Sequence, residues 1–250
     1  MNNISPIDGR YKENVSELEG YFSEQALMRY RIMVEVEYLL SLVELKSFHK
    51  KRSLSKKTLS SLRSLYTEFS DKDFKQIKKI ESKTNHDVNA VVVFISEKLE
   101  KISRKDLIPL VHFGLTSEDI NNTAYSLMTK GATKNIMVPA IKNVLKELKK
   151  LARRTKSLPM LSLTHGQPAT TTTLGKELAV FISRIERELV LISEINLLAK
   201  FSVATGSYAA HKAAFPKANW SVFAKKFIKR LGLGQSPITS QIEPGDSIAG

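Results

Sequence analysis

The 250-residue sequence contains no cysteine, so it can form no disulfide and run no thiolate chemistry. Long apolar runs are missing too. The longest, Ala90 to Ile95, falls far short of the roughly 20 residues a membrane-spanning helix needs, and no membrane partner is expected. The opening residues, Met1-Asn2-Asn3-Ile4-Ser5-Pro6, lack the basic region and apolar stretch of a secretory signal, which makes the cytoplasm the expected location. His49, His86, His112, His165 and His211 show neither H-x-H nor H-x-x-x-H spacing, so no metal cage is expected. Neither G-x-x-x-x-G-K-[ST] nor G-x-G-x-x-G occurs, which removes the usual ATP and NAD cradles. A G-x-S-x-G nucleophile elbow is likewise absent.

Positive charge is what the sequence has in excess. Thirty-nine lysines and arginines face 25 acidic residues, a net +14, which suits anionic partners: nucleic acid, acidic lipid, or small phosphorylated and carboxylated molecules. The lysine pairs Lys50-Lys51, Lys56-Lys57, Lys78-Lys79, Lys149-Lys150 and Lys225-Lys226 are scattered, with no aromatic interleaving. They read as solvated surface, and no nucleic-acid partner is expected. A basic helical nucleic-acid binder remains the rival from another functional class; salt-sensitive binding would reveal it.

The hydrophobic pattern is helical nearly throughout, predicting an all-α fold. Ile32, Val36, Leu39 and Val43 share one face of a first segment, Leu54 to Phe69 carries a second, and Val88, Val91, Val92, Ile95 and Leu99 mark a third. Met137, Ile141, Val144, Leu148 and Leu151 step by three and four, as do Leu174, Leu178, Phe181, Ile185, Ile192, Ile195 and Ala199, with Glu188 as the one polar interruption. That is heptad spacing. A helix running from Leu174 to Phe201 would need neighbours of similar length, so a long bundle follows. No pair of strands is expected. Pro139 should kink or begin a helix. The breakers place a boundary near Leu107 to Phe113: residues 1–107 form an N-terminal helical domain, and 108–250 the first, C-terminally incomplete part of a central helical bundle.

Four polar segments sit at breakers or helix starts. In Lys83-Thr84-Asn85-His86-Asp87, Thr84 or Asn85 can cap the Val88 helix, putting His86 and Asp87 in a first turn that favours anions. In Gly114-Leu115-Thr116-Ser117-Glu118-Asp119, Thr116 and Asp119 fit a capping box, while the Thr116 and Ser117 hydroxyls could hold a carboxylate. In Leu163-Thr164-His165-Gly166-Gln167-Pro168, a loop histidine is free to act as acid or base, and Thr170 to Thr173 supply caps. Thr239-Ser240-Gln241-Ile242-Glu243-Pro244 reads only as loop. Each segment alone is explained by capping or surface placement.

Together with Ile4-Ser5-Pro6-Ile7-Asp8-Gly9-Arg10-Tyr11, these segments resemble, in order and over essentially the whole chain, the motifs of the bacterial adenylosuccinate lyase family. They are Thr84-Asn85-His86-Asp87-Val88, Thr116-Ser117-Glu118-Asp119-Ile120-Asn121, Thr164-His165-Gly166-Gln167-Pro168-Ala169 and Gln241-Ile242-Glu243-Pro244. The resemblance implies elimination of fumarate from adenylosuccinate and from the succinylated aminoimidazole carboxamide ribotide, with no metal or organic cofactor. It implies His165 as the acid, with His86 orienting substrate or His165. Asn85 and Asp87 would contact the nucleotide, Arg10 and Tyr11 its phosphate, and Thr116, Ser117 and Gln241 the succinyl portion. It also implies a homotetramer whose sites draw on three subunits. Two departures stand out. The loop S-S-x-M-P-x-K-x-N-P, expected to carry a serine base, does not occur, so the chain is expected to be a fragment that is inactive alone. Gly245 stands where relatives often have histidine. A sister lyase acting on another succinyl compound, and a non-catalytic remnant that only assembles, are the alternatives.

Overall fold

A computed structural model describes residues 4–45 and 54–249; His49 and the pair Lys50-Lys51 lie outside them. Among the described residues the chain is all-α apart from two small two-stranded pieces. Its helices are α1 (Glu19–Phe22), α2 (Glu24–Glu44), α3 (Lys56–Thr67), α4 (Asp71–Thr84), α5 (Asp87–Lys101), α6 (Ser117–Ala132), α7 (Val138–Arg154), α8 (Leu174–Glu194), α9 (Ala209–Ala214), α10 (Trp220–Arg230) and α11 (Asp246–Ala249). Among the described residues no helix is long and apolar enough to cross a membrane.

Contacts divide the chain into two compact units, residues 1–130 with 196–250, and residues 131–195. Leu107, Leu110 and Val111, beside the boundary expected at 107/108, are buried in the same core as α2 and α5.

α2 is the axis of the first unit. Ser23 caps it by accepting the Ala26 N–H. The helix is apolar on more than one face, and Ile32, Val34, Val36, Tyr38, Leu39 and Leu42 are all fully buried, which is what a helix surrounded by others requires. It contacts α3, α4 and α5. Its buried Glu37 is paired at the edge of the core, accepting two bonds from exposed Arg63, at 2.8 and 3.1 Å, and one from Tyr66. α4 starts at a full capping box between Ser70 and Asp73.

The second unit pairs α7 with α8 and carries a hairpin. A π-helical turn, Thr133–Met137, precedes α7. Pro139 follows at the first positions of α7, where its missing N–H is tolerated, and a widened turn relieves the clash its ring makes with the preceding one. α8 begins at Leu174 with Thr173 as cap, accepting the Lys176 N–H at 3.2 Å. Gly175 lies against the end of α7, where a Cβ would come within 2.5 Å of the Ala152 carbonyl oxygen.

Two expectations need correction. α8 ends at Glu194, not near Phe201. Residues beyond it surrender their backbone to tertiary partners. Leu198 and Ala199 pair in parallel with Gly234 and Gln235. The Ser126 hydroxyl takes the Leu198 carbonyl, and Asn122 Oδ1 takes the Lys200 N–H. Strands also form where only a loop was expected: β1 (Pro159–Thr164) and β2 (Gln167–Thr173) pair antiparallel, with a bulge between Leu161 and Leu163. β3 (Leu198–Ala199) and β4 (Gly234–Gln235) form the other piece.

Candidate active site

At the first polar segment the caps are shifted by one residue. Asn85 closes α4 in the left-handed conformation (φ 50°), its N–H reaching the Glu81 carbonyl. That leaves His86, not Thr84 or Asn85, to cap α5; its Nδ1 accepts the Asn89 N–H at 3.2 Å. Nδ1 is thereby used as an acceptor, and the exposed ring can present Nε2 outward. Asp87 begins the helix, with Oδ1 on the Val88 N–H at 2.8 Å and Oδ2 on Arg31 at 2.6 Å. Burial pushes its carboxyl up, but the Arg31 charge and these hydrogen bonds outweigh it and hold the group below the usual carboxylate range.

Arg31 ties this segment to the next. It is almost fully buried, and its Nε donates to Asn121 Oδ1 at 2.9 Å. One guanidinium thus bridges the start of α5 and the first turns of α6.

The second segment turns at Gly114 (φ +68°), where the His211 ring lies 3.1 Å from the position of a Cβ. Half-buried Thr116 and Ser117 follow at the N-terminus of α6, where free N–H groups and the helix dipole favour an anion. Of the expected capping box the structure has the Asp119 arm: Asp119 Oδ2 accepts the Thr116 N–H at 3.0 Å. Its Oδ1 accepts from Ser202 N–H and Val203 N–H, both at 3.1 Å, and from Lys200 Nζ at 2.9 Å. Lys200 Nζ also donates to the Val203 carbonyl at 2.6 Å.

The fourth segment is held to the second. Ser202 Oγ lies 2.7 Å from Thr239 Oγ1, and the Glu243 backbone N–H faces the Glu118 carboxylate. Burial is the main reason that the Glu118 carboxyl is raised, and this N–H tempers the rise. Gly206 (φ +75°) passes so close to the Thr239 carbonyl that no Cβ fits. Gln241 is exposed on the loop.

His165 lies in the second unit. It and Gly166 are the two residues linking Thr164 to Gln167, with φ of 52° and 72°; positive values at both positions make a type I′ hairpin turn. The histidine is exposed at the tip. Arg10 and Tyr11 are exposed in an N-terminal turn of the first unit, the guanidinium 5.5 Å from the Tyr11 ring centre. The structure therefore joins the 85–87, 116–121 and 239–243 segments through protein contacts within one unit, with His165 in the other.

Sequence reasoning passed over the residues that make those joins: Arg31, Asp119 as a hub, and Lys200. It also missed two buried pairs near them. Glu35, fully buried, meets His112 Nδ1 at 2.5 Å and its N–H at 3.1 Å. Burial opposes a charge on His112, but the bond to Glu35 and its charge prevail and raise the imidazole. Tyr38 donates to the Phe113 carbonyl at 2.6 Å and lies 2.7 Å from His211 Nε2; burial lowers His211 to about 4. The available signal was Arg31 and Glu35, four apart, among apolar neighbours on α2. Among the described residues no cluster of histidine and acidic side chains could hold a metal.

Residues 9–250 match the protein family described as Lyase. The chain is 42% identical to the adenylosuccinate lyase of Buchnera aphidicola subsp. Acyrthosiphon pisum, over 98% of the chain and 54% of that protein. It is 43% identical to that of Dictyostelium discoideum and 40% to that of Escherichia coli K12, with the same shares covered. It thus spans about half the length of these curated relatives. Among solved structures, a fumarate lyase from Mesorhizobium sp. BNC1 superposes with a TM-score of 0.74 at 22% identity, over 94% of this chain and 52% of that one. The β-carboxy-cis,cis-muconate cycloisomerase of Acinetobacter calcoaceticus sp. ADP1 gives 0.70 at 22%, over 90% and 50%. At such identities the likeness speaks for the fold.

Proposed function

The chain belongs to the Lyase family, and from that premise we propose that it supplies most of the substrate-binding groups of an adenylosuccinate lyase. The reaction is a C–N elimination: adenylosuccinate gives AMP and fumarate, and the succinylated aminoimidazole carboxamide ribotide gives its amide and fumarate. A base takes the proton beside the succinyl carboxylate and charge accumulates there as an aci-carboxylate. The C–N bond then breaks, and an acid protonates the departing nitrogen.

In this reading His165 is the acid, and His86 orients the substrate or that imidazole. Asn85 and Asp87 contact the nucleotide, and Arg10 and Tyr11 its phosphate. Thr116, Ser117 and Gln241 hold the succinyl carboxylates. No metal or organic cofactor takes part. The observation that carries the reading is the convergence of the 116–119 and 239–243 segments at the N-terminus of α6, with Arg31 binding the His86–Asp87 turn to the same helix. Three stretches separated in sequence are drawn together around hydroxyls and helix N–H groups suited to carboxylates.

The base is assigned to a serine loop outside these 250 residues. The working assembly is a cytoplasmic homotetramer in which residues 108–250 begin a shared central bundle, 1–107 serve as an N-terminal helical domain, and several chains contribute to each site. Exposed apolar residues along the second unit support that assembly. The test is to assay the chain alone, and mixed with the C-terminal half of the Escherichia coli relative, for loss of adenylosuccinate. No turnover alone and turnover in the mixture are expected, falling by about 100-fold or more with His165→Gln. A mixture indifferent to that substitution would overturn the assignment, and cleavage of a different succinyl compound alone would move the chain to a sister lyase.

A further inference from the structure

The Asp119–Lys200 pair has no role in the reading above, yet both side chains are 0% exposed. A buried ion pair is a poor source of stability, because desolvating both charges offsets most of their attraction and apolar residues of similar volume pack as well. Its directional bonds are what an apolar pair could not supply. Asp119 fixes Thr116 with one oxygen and the Ser202–Val203 turn with the other. Lys200 closes the same turn from inside, while Asn122 holds its backbone on both sides, at 2.8 and 3.1 Å. Ser202, so held, reaches Thr239. The 239–243 loop has no helix or strand of its own, and its anchors on Ser202, Gly206 and Glu118 all lie on or beside elements the pair organises.

We propose that Asp119 and Lys200 are a positioning pair that sets the separation between the Thr116–Ser117 hydroxyls and the Gln241 loop, and with it the span of the groups that grip the two succinyl carboxylates. This rests on the reading of these segments as the succinyl site and adds to it, since neither residue touches substrate there. A substrate with two carboxylates at a fixed distance needs its two cradles at a fixed distance, and a rigid buried strut provides that.

Amide hydrogen exchange in the 250-residue chain tests the strut directly, using Lys200→Met, the neutral double variant Asp119→Asn/Lys200→Met, and Thr239→Val. In both Met variants the Thr116 and Glu243 amides are expected to exchange about tenfold faster or more, together, while Val91 and Phe94 of α5 keep their rates. Thr239→Val, which leaves the pair intact, should release Glu243 alone. Unchanged rates at Thr116 and Glu243, or acceleration shared equally by α5, would overturn the proposal. In the mixed assembly the double variant should raise KM about tenfold with kcat within about threefold of the native value, the pattern of lost binding geometry. Altered exchange with an unaltered KM would reduce the pair to a structural element and also overturn it. If the native mixture cleaves nothing, the functional reading fails, while the exchange result still decides whether the pair couples the two segments.

Discussion

The two units use the same helical grammar and end in opposite states. In the first, α2 is covered on all sides, and its buried charges Arg31, Glu35 and Glu37 each find a partner. In the second, α7 and α8 cover only the stripe between them. Leu145 and Ile182 are buried, while Met137, Val144, Leu151, Phe181, Val190 and Leu191 stand exposed. Apolar spacing states which side chains seek cover; it does not state whether the same chain provides it. The first unit is a finished core, and the second offers seams on which further helices can pack.

The sharpest way to break this contrast is truncation. Phe94→Ala or Leu39→Ala, fully buried in the first unit, should cost about 3–5 kcal/mol of unfolding free energy, whereas Phe181→Ala or Val144→Ala should cost under about 1 kcal/mol in the isolated chain. Urea denaturation followed through the fluorescence of buried Trp220 and by circular dichroism measures both; equal losses would erase the distinction.

Next in size is a pH effect confined to the first unit. His211 is held at about 4 by burial, below the ordinary 6.5, so the unfolded chain binds its proton first. Its contribution is complete above 6.5 and is lost as pH falls towards 4, on the order of 3 kcal/mol. His112, raised by Glu35, has the opposite sign: its share is complete below 6.5 and is lost as pH rises through its folded value. Urea midpoints compared between neutral and mildly acidic pH should fall steeply in the native chain and less in His211→Gln. A fall in midpoint no larger in the native chain than in His211→Gln, which keeps the opposing His112 contribution, would contradict the burial argument.

Two glycines sharpen the comparison further. Gly206→Ala drives a methyl into the Thr239 carbonyl and should cost more than about 2 kcal/mol. Gly166→Ala has open space around it and bears only the left-handed backbone penalty, about 1 kcal/mol. Thermal unfolding separates the two. The smallest effect expected is Pro139→Ala, within about 0.5 kcal/mol, because the π turn ahead of it already absorbs the ring.

Much of this was legible in the sequence. The helices around Ile32–Val43 and Val88–Leu99, a cap within Thr170–Thr173, and Pro139 as a helix start all follow from local chemistry. What could not be read is where distant partners overrule local preference. Leu197 to Lys200 continue a helical pattern, yet Asn122, Ser126 and Gly234 claim their backbone. Along α8 the covered seam keeps Leu178, Ile185 and Ile192 of the expected one but takes Ile182 and Leu189 rather than Phe181, which is exposed. The hairpin was hidden because β1 alternates poorly and β2 is a threonine run; its one local clue was His165-Gly166, a pair suited to two left-handed residues. At the candidate site the surface residues expected from the resemblance were legible as motifs. Their supports were not, because Asp119 and Lys200 lie 81 positions apart, a pairing only the fold reveals.

The hairpin closes in two residues, both in left-handed backbone, and a bulge has already used the one irregularity in its ladder. Side chains along a strand alternate faces, so inserting or deleting a single residue there would turn every later side chain over. In homologues, substitutions within Pro159–Thr173 are therefore expected to outnumber gaps, the two-residue turn rather than a buried face holding the register.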